Sequence, residues 1–409
     1  MSAGVVIIGA GHAGGSAAAF LRQYGYEGPI TLIGDEPHLP YQRPPLSKAW
    51  LKGEASGDDL YLRPQDFYDE ANIAVWLERR VEAIDTKDKT VTIDGEPIGY
   101  EHLIIATGSK ARPFGCSGAE TTPYHLLRTI ADAEWLKPHL KGGQRIGLIG
   151  AGYVGLEVAA SARKLGSAVT VFERESRILA RVASPVLSEA FTRIHRDNGV
   201  NLITGAEVVR VSAEGDLRRV HMADGAVHEF DVLLVGIGAL PADDLAQAAG
   251  IVCANGIVVD PEARTSAADV FAIGDVTSRE VKPWYEGRYR LESVPSALEQ
   301  AKQAAAAITG FKAPPPEVPW FWSDQYDYKL QIAGLTRAGA KLITRGDPAT
   351  GAFSVFHLND SQQVICVESV NRPADFMAGK QLIHKAVAVE DSVIADADAS
   401  LKPYLQTTR

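Results

Sequence analysis

Two short glycine clusters in this chain have the types and spacing that hold a diphosphate. "VVIIGAGHAGGSAAAF" carries Gly9, Gly11 and Gly14 behind an apolar run, and "IGLIGAGYVGLEVAASARKLG" carries Gly150, Gly152 and Gly155 behind another. In such a turn the first glycine makes the tight bend. The second lets backbone N–H groups approach a pyrophosphate, and the third lets the following helix pack close to the strand. The helix N-terminus adds a partial positive charge. Each cluster is followed, about 20 residues on, by the acid that a dinucleotide-binding unit needs for ribose hydroxyls. These acids are Asp35, with Glu36 as its neighbouring alternative, and Glu173. A carboxylate at Glu173 suits a free 2′-hydroxyl and repels a 2′-phosphate, which favours NADH over NADPH. Arg174, Arg177 and Arg181 lie close by and act against that preference. Two such units in one chain point to FAD and a nicotinamide nucleotide meeting face to face. The alternative is a duplicated domain in which one copy has lost its ligand, although both copies keep their glycines and their acid.

The elements that must position these residues read as strand, turn, helix, strand in both places. "VVII", "SAAAFLRQYG" and "ITLI" form the first set, and the run to Ile149, the small-residue helix and "AVTVF" form the second. A length of 409 residues is too great for one ordinary core and predicts two or three domains. The 46% hydrophobic and 22% charged residues describe a globular chain. A net charge of -10 argues against nucleic acid as the main partner, because phosphate neutralisation needs basic patches. The three cysteines, Cys116, Cys253 and Cys366, are far apart and form no CxxC, so neither a disulfide framework nor a metal site is expected. A strand signal within a few residues of Met1 leaves no room for a secretory leader, and no apolar stretch reaches the roughly 20 residues of a membrane span. A cytoplasmic protein is expected.

Further motifs occur in a family order: "HLPYQRPPLSKAWL", "LIIATGSKARP", "LLRTIADA", "VFAIGDV", "ESVPSALEQAKQAA" and "WFWSDQYDYKLQIAG". On these the chain resembles, over essentially its whole length, the FAD-dependent NADH:ferredoxin reductases of bacterial oxygenase systems, which share the pyridine nucleotide-disulfide oxidoreductase fold. The resemblance implies an α/β protein with two Rossmann-like dinucleotide-binding domains and a small α+β C-terminal domain. FAD is assigned to residues 1–112 and 242–318, NADH to 113–241, and the C-terminal domain to 319–409. Four strand-like runs, "KLQIAGL", "KLITRG", "AFSVFHL" and "QVICVESV", precede a helical segment around "ADFMAGKQLIHKAV" in that last part. "FKAPPPEVPW" marks its boundary.

The resemblance also assigns residues. On the flavin side it implies Asp275 at the ribityl chain, Lys48 against the isoalloxazine, Arg128, Val81 and Val294 as further FAD contacts, and Ala13 in the pyrophosphate turn. Arg43, Ala106, Thr107 and Gly108 complete that set with the residues of the first glycine turn. On the NADH side Tyr153, Val154, Glu157, Arg181 and Gly238 join Gly150, Gly152, Gly155 and Glu173. Read by type alone, Asp275 could cap a helix, Arg128 could make a surface ion pair, Lys48 could be solvated, and Val81 and Val294 could be core. Glu157, two places beyond Gly155, is expected to pair with Lys48 beside the flavin, Lys48 favouring the anionic reduced ring; the other reading is a solvated carboxylate at the helix start, favoured by the dipole. Tyr153 stands where relatives have an aromatic gate over the nicotinamide site, with packing against the flavin domain as the other reading. Trp320 and Trp322 are one residue apart on a strand and so face the same way. Trp322 is the preferred route for electrons out, with buried packing as the other reading.

NADH gives two electrons together, whereas a [2Fe–2S] ferredoxin takes one at a time, and a flavin can do both. "RPPLSKAWLKG" carries no cysteine, which leaves no thiol relay and favours an external one-electron acceptor. The expected function is transfer from NADH through FAD to a [2Fe–2S] ferredoxin that supplies a cytochrome P450 or an aromatic-ring dioxygenase, by a monomer. Docking an acidic ferredoxin on an acidic chain would need a local cluster of Lys and Arg. A rubredoxin reductase or NADH oxidase of the same fold is the alternative enzyme, and a redox-sensing flavoprotein the alternative of another class.

Overall fold

The computed structural model describes residues 3–406, and the chain divides into two compact units. The first comprises residues up to Arg43 with Ser56–Lys110 and Leu240–Pro319; the second comprises Pro44–Ala55, Ala111–Ala239 and the chain from Trp320 on.

In the first unit the Val5–Ile8 strand lies in the middle of a five-stranded parallel sheet, flanked by Ile30–Ile33 and His102–Ile105. Ile73–Trp76 and Val270–Ala272 form the edges. All four residues of "VVII" are buried, which a parallel strand requires because both of its faces are covered. One cover is the His12–Gln23 helix packed on the Val294–Thr309 helix. Ala17, Ala18, Ala301, Ala304 and Ala305 are fully buried where they meet, and such small side chains allow the two backbones to approach closely. Two three-stranded sheets complete this unit, one of Val81–Asp85, Thr90–Ile93 and Glu96–Gly99 and one of Ile257–Val258, Thr277–Val281 and Tyr285–Tyr289.

The second unit repeats the parallel plan in the order Asn201–Thr204, Ala168–Glu173, Arg145–Ile149, Val232–Val235. An antiparallel sheet of Val208–Glu214, Leu217–Met222 and Val227–Phe230 packs beside it over Phe172, Val211, Val220 and Phe230. The C-terminal part forms a five-stranded antiparallel sheet, Trp320–Gln325, Tyr328–Gly334, Val364–Val370, Ala352–Leu358 and Lys341–Asp347. The Pro373–Lys385 helix lies on it, and Gly379 permits that: a β-carbon there would meet Val367 Cγ1 at 2.3 Å. The architecture is the α/β plan with an α+β C-terminal part that the sequence predicts. Among the described residues, no helix is long and apolar enough to cross a membrane.

Candidate functional site

Each glycine turn joins a buried parallel strand to a 12-residue helix. Gly9 and Gly150 take φ values of +108° and +105°, where an L side chain is strained. A β-carbon on Gly9 would lie 2.3 Å from the Ala106 carbonyl oxygen, and one on Gly150 would lie 2.4 Å from that of Gly236. The third glycines are equally confined. A β-carbon on Gly14 would meet the Gly9 oxygen at 2.0 Å, and one on Gly155 the Gly150 oxygen at 2.4 Å. The middle glycines differ. At Gly11 and Gly152 a β-carbon would meet nothing within 4 Å. Packing therefore does not demand glycine there, and the backbone is left open to a ligand. Neither helix has a side-chain cap, so its first-turn N–H groups are left for that ligand. His12, on the first turn of the first helix, has a buried Nδ1 with no hydrogen-bond partner, and burial lowers its pKa against the pull of Asp275. Both turns fit the diphosphate of a dinucleotide.

In the first unit, Asp35 is exposed just past the Ile30–Ile33 strand. Glu36 is engaged, accepting from Tyr41 Oη at 2.6 Å and pairing with Arg43 Nη2 at 2.7 Å, while the Arg43 guanidinium lies 5.0 Å from the Tyr41 ring centre. Asp275 sits in the short Gly274–Val276 turn and accepts from Ser109 Oγ at 3.2 Å. Gln300, fully buried on the Val294–Thr309 helix, fixes that turn: its Oε1 accepts from Gly274 N at 2.9 Å and Thr277 Oγ1 at 3.0 Å. A β-carbon on Gly274 would lie 2.9 Å from Ala13 Cβ, which brings the Asp275 turn beside the first glycine turn. Thr107 Oγ1 donates to the Ala242 carbonyl at 2.7 Å, and Gly108 takes φ +68°. Ala106 and Val81 are buried, Val81 at the start of its strand, and Val294 begins its helix.

Lys48 and Arg128 belong to the second unit. Arg128 directly precedes Thr129, which caps the Ile130–His139 helix by accepting from Asp132 N. Glu173 turns its carboxylate back on the second glycine turn, with Oε2 on Ala151 N at 2.8 Å and Oε1 on Glu175 N at 2.9 Å. Arg181 is exposed, and its Nη2 lies 3.8 Å from where a Gly238 β-carbon would be. Val154 is 48% exposed on the first turn of the helix. Tyr153, beside it, donates to the Val182 carbonyl at 3.3 Å and meets the edge of Phe321 at 4.8 Å. Burial, then the nearby Glu368 and Cys366, hold its phenol well above the ordinary value.

The most concentrated polar cluster surrounds Glu157, 5% exposed on the Tyr153–Lys164 helix. Lys48 Nζ pairs with its Oε2 at 2.7 Å. Ser47 Oγ donates to the same oxygen at 2.5 Å, and Ser323 Oγ donates to Oε1 at 2.6 Å. The Ser47 carbonyl in turn accepts from Ser161 Oγ, one turn along the helix, at 2.8 Å, which ties the Pro44–Ser47 turn to it. Ser323 lies on the Trp320–Gln325 strand, where side chains alternate. Trp320 and Trp322 share the other face with ring centres 5.7 Å apart, and Trp320 also lies against Phe376 and under the Lys380 ammonium. The sequence expects the Lys48–Glu157 pair and the shared face of the tryptophans, and the structure contains both. It does not announce Ser47, Ser323 or Gln300, because hydroxyls and amides carry no spacing signal.

Burial pushes the Cys116 and Cys253 thiols up and the Cys366 thiol well above its usual range, so none is a ready thiolate near neutral pH.

Residues 3–301 match the family model described as pyridine nucleotide-disulphide oxidoreductase, and residues 320–405 match the one described as reductase C-terminal. The chain is 42% identical to rhodocoxin reductase of Rhodococcus erythropolis, over 97% of this chain and 93% of that one. It is 40% identical to the ferredoxin–NAD(+) reductase component of the anthranilate 1,2-dioxygenase system of Burkholderia cepacia, over 98% of both chains. Among solved structures, the covalent putidaredoxin reductase–putidaredoxin complex superposes with a TM-score of 0.95 at 38% identity, covering 99% of this chain and 98% of the other.

Proposed function

Because this chain belongs to the pyridine nucleotide-disulphide oxidoreductase family, and within it to the ferredoxin reductases, we propose that it carries electrons from NADH through FAD to a [2Fe–2S] ferredoxin supplying a cytochrome P450 or an aromatic-ring dioxygenase. The observation that carries this reading is the pair of glycine turns, each open over its middle glycine and closed at the other two, in a chain related over its whole length to ferredoxin reductases. Bound FAD supplies the conversion of a two-electron donor into one-electron deliveries.

The chain's own residues have the following work in this reading. Gly9, Gly11, Ala13 and Gly14 receive the FAD diphosphate on backbone N–H groups, and Asp35 takes the ribose. Glu36 fixes Arg43 for the same cofactor. Asp275, which accepts from Ser109 and sits in a turn that Gln300 fixes at Gly274 and Thr277, meets the ribityl hydroxyls. Ala106, Thr107, Gly108, Val81, Val294 and Arg128 line the remainder. Gly150, Gly152, Val154 and Gly155 receive NADH, with Glu173 toward the adenosine ribose and Arg181 and Gly238 at its margin. Lys48 presents a positive charge to the flavin, and Glu157 orients that charge. Tyr153 covers the nicotinamide site, and Trp322, with Trp320 behind it, is the exit side. The domain assignment is 1–112 with 242–318 for FAD, 113–241 for NADH and 319–409 for the C-terminal part. The protein acts in the cytoplasm as a monomer.

The test begins with the visible spectrum of the purified protein under argon. Flavin bands that bleach on adding NADH are expected, and a colourless protein, or a yellow one indifferent to NADH, would refute the reading. Stopped-flow reduction of a [2Fe–2S] ferredoxin is then expected to outpace that of rubredoxin and of oxygen. Faster rubredoxin or oxygen reduction would reassign the acceptor, and a long-lived NADH complex with negligible turnover would reassign the protein as a redox sensor.

A further inference from the structure

The hydrogen bonds around Glu157 continue beyond Ser323, and they run in one direction. Ser323 has a single hydroxyl hydrogen, used on Glu157 Oε1 at 2.6 Å, so its oxygen is left to accept. Gln325 Nε2 donates to it at 3.1 Å. The other end of that amide, Oε1, lies 2.8 Å from His195 Nε2, so a neutral His195 must carry its proton on Nε2. Nδ1 is then an acceptor, and the Tyr326 hydroxyl lies 3.4 Å from it. From Tyr326 through His195, Gln325 and Ser323, every donor points toward Glu157. A file of this kind polarises each member toward the anion at its end. Beyond Tyr326, which is half-buried, the file is fully buried: Ser323 and His195 are 0% exposed and Gln325 is 1%. Burial brings the His195 pKa down to about 4, so the ring is neutral at ordinary pH and the direction of the file holds.

We propose that Ser323, Gln325 and His195 are positioning residues for the Lys48–Glu157 pair: through one donor file they hold the Glu157 carboxylate fixed in plane, and so determine how Lys48 presents its charge. The inference rests on the reading of Lys48 and Glu157 as the pair that acts on the flavin. The helix bearing Glu157 packs on the Pro44–Ser47 turn, the Ala49–Lys52 helix and the strands Arg145–Ile149, Ala168–Glu173 and Trp320–Gln325. Charged groups on or beside these elements are Lys48, Lys52, Arg145, Glu173 and Asp324, and the helix itself adds Tyr153, Arg163 and Lys164. Among the described residues only Lys48 pairs with Glu157; Lys52 is on Glu54, Arg145 on Asp231, and Lys164 on Asp327.

The experiment titrates the Glu157 carboxyl by infrared difference spectroscopy in the full-length FAD-loaded protein, with the band assigned by its loss in Glu157→Gln. Ser323→Ala is expected to raise the proton affinity of Glu157 about tenfold, a midpoint shift of about one pH unit. Ser323→Thr, which keeps the hydroxyl, is expected to return the midpoint to that of the wild type. Gln325→Met removes the donor to Ser323 at similar volume and is expected to shift the midpoint the same way by less, and it serves should Ser323→Ala not fold. A role in packing alone would lower the urea midpoint and leave the titration where it was. A Glu157 midpoint unchanged in both Ser323→Ala and Gln325→Met overturns the proposal. Failure of the wild type to reduce a ferredoxin in stopped flow would refute the functional reading instead, and that failure is read independently of the titration.

Discussion

At the scale of single residues, burial decides how much each charge matters. The Lys48–Glu157 pair has side-chain exposures of 16% and 6%. Removing one partner of a buried pair leaves the other uncompensated, at a cost of about 3 kcal/mol or more. Lys48→Met and Glu157→Gln are therefore both expected to lower the urea midpoint markedly: the first leaves the carboxylate without its cation, and the second leaves the ammonium without its anion and keeps one acceptor oxygen for the two hydroxyls of Ser47 and Ser323. In anaerobic stopped flow, both variants are expected to slow reduction by NADH about tenfold, equivalent to about 1.4 kcal/mol of barrier; unchanged rates in both would remove the pair from the chemistry. Glu173 has a different task, holding Ala151 N and Glu175 N. Glu173→Ala is expected to reduce kcat/KM for NADH and to narrow the preference for NADH over NADPH, checked by steady-state rates with both nucleotides. A preference that stays as wide would show that the carboxylate serves the turn alone.

At the scale of elements, the two glycine turns separate folding from binding within three residues. Gly14→Ala puts a methyl 2.0 Å from a carbonyl oxygen and is expected to destabilise the apoprotein, measured by thermal unfolding. Gly11→Ala meets nothing within 4 Å and is expected to leave apoprotein stability intact while weakening FAD binding about tenfold or more, measured by flavin fluorescence titration. Equal losses of stability would contradict the division. These turns were legible in the sequence because they impose backbone conformations that few residues accept. The tryptophan pair was legible because strand alternation is a local rule, and the C-terminal strands because their β-branched runs are bounded by turn residues. The surroundings of Glu157 were not. Ser47 lies 110 positions away from it and Ser323 lies 166 away, and both are ordinary residues whose role arises only when the chain brings them together. Gln300 was hidden for the same reason: nothing near it in sequence reveals that its amide secures the Asp275 turn.

For the molecule as a whole, charge and titration set the response to conditions. His195 is buried neutral with a pKa of about 4 against an ordinary 6.5. The unfolded chain thus binds a proton there that the folded chain refuses, and stability falls as pH drops from about 6.5 toward 4, by up to ~3 kcal/mol from this group. Urea unfolding across that range is expected to show the loss, and His195→Asn is expected to flatten it; an equal slope in the variant would assign the acid sensitivity elsewhere. Docking of an acidic ferredoxin by charge on a chain of net charge -10 would need a local cluster of Lys and Arg. The rate of ferredoxin reduction is expected to fall steeply between low and high salt, and a flat profile would indicate an apolar contact instead. The alternation of the Trp320–Gln325 strand has one more consequence. Its outer residues are an aromatic pair, while its inner residues complete the setting of a carboxylate on a helix far upstream. The final ninety or so residues are therefore no interchangeable cassette. A chimaera that grafts this tail from a cousin must inherit a hydroxyl at position 323 and an amide at 325, or the recipient's own buried glutamate arrives without its keepers.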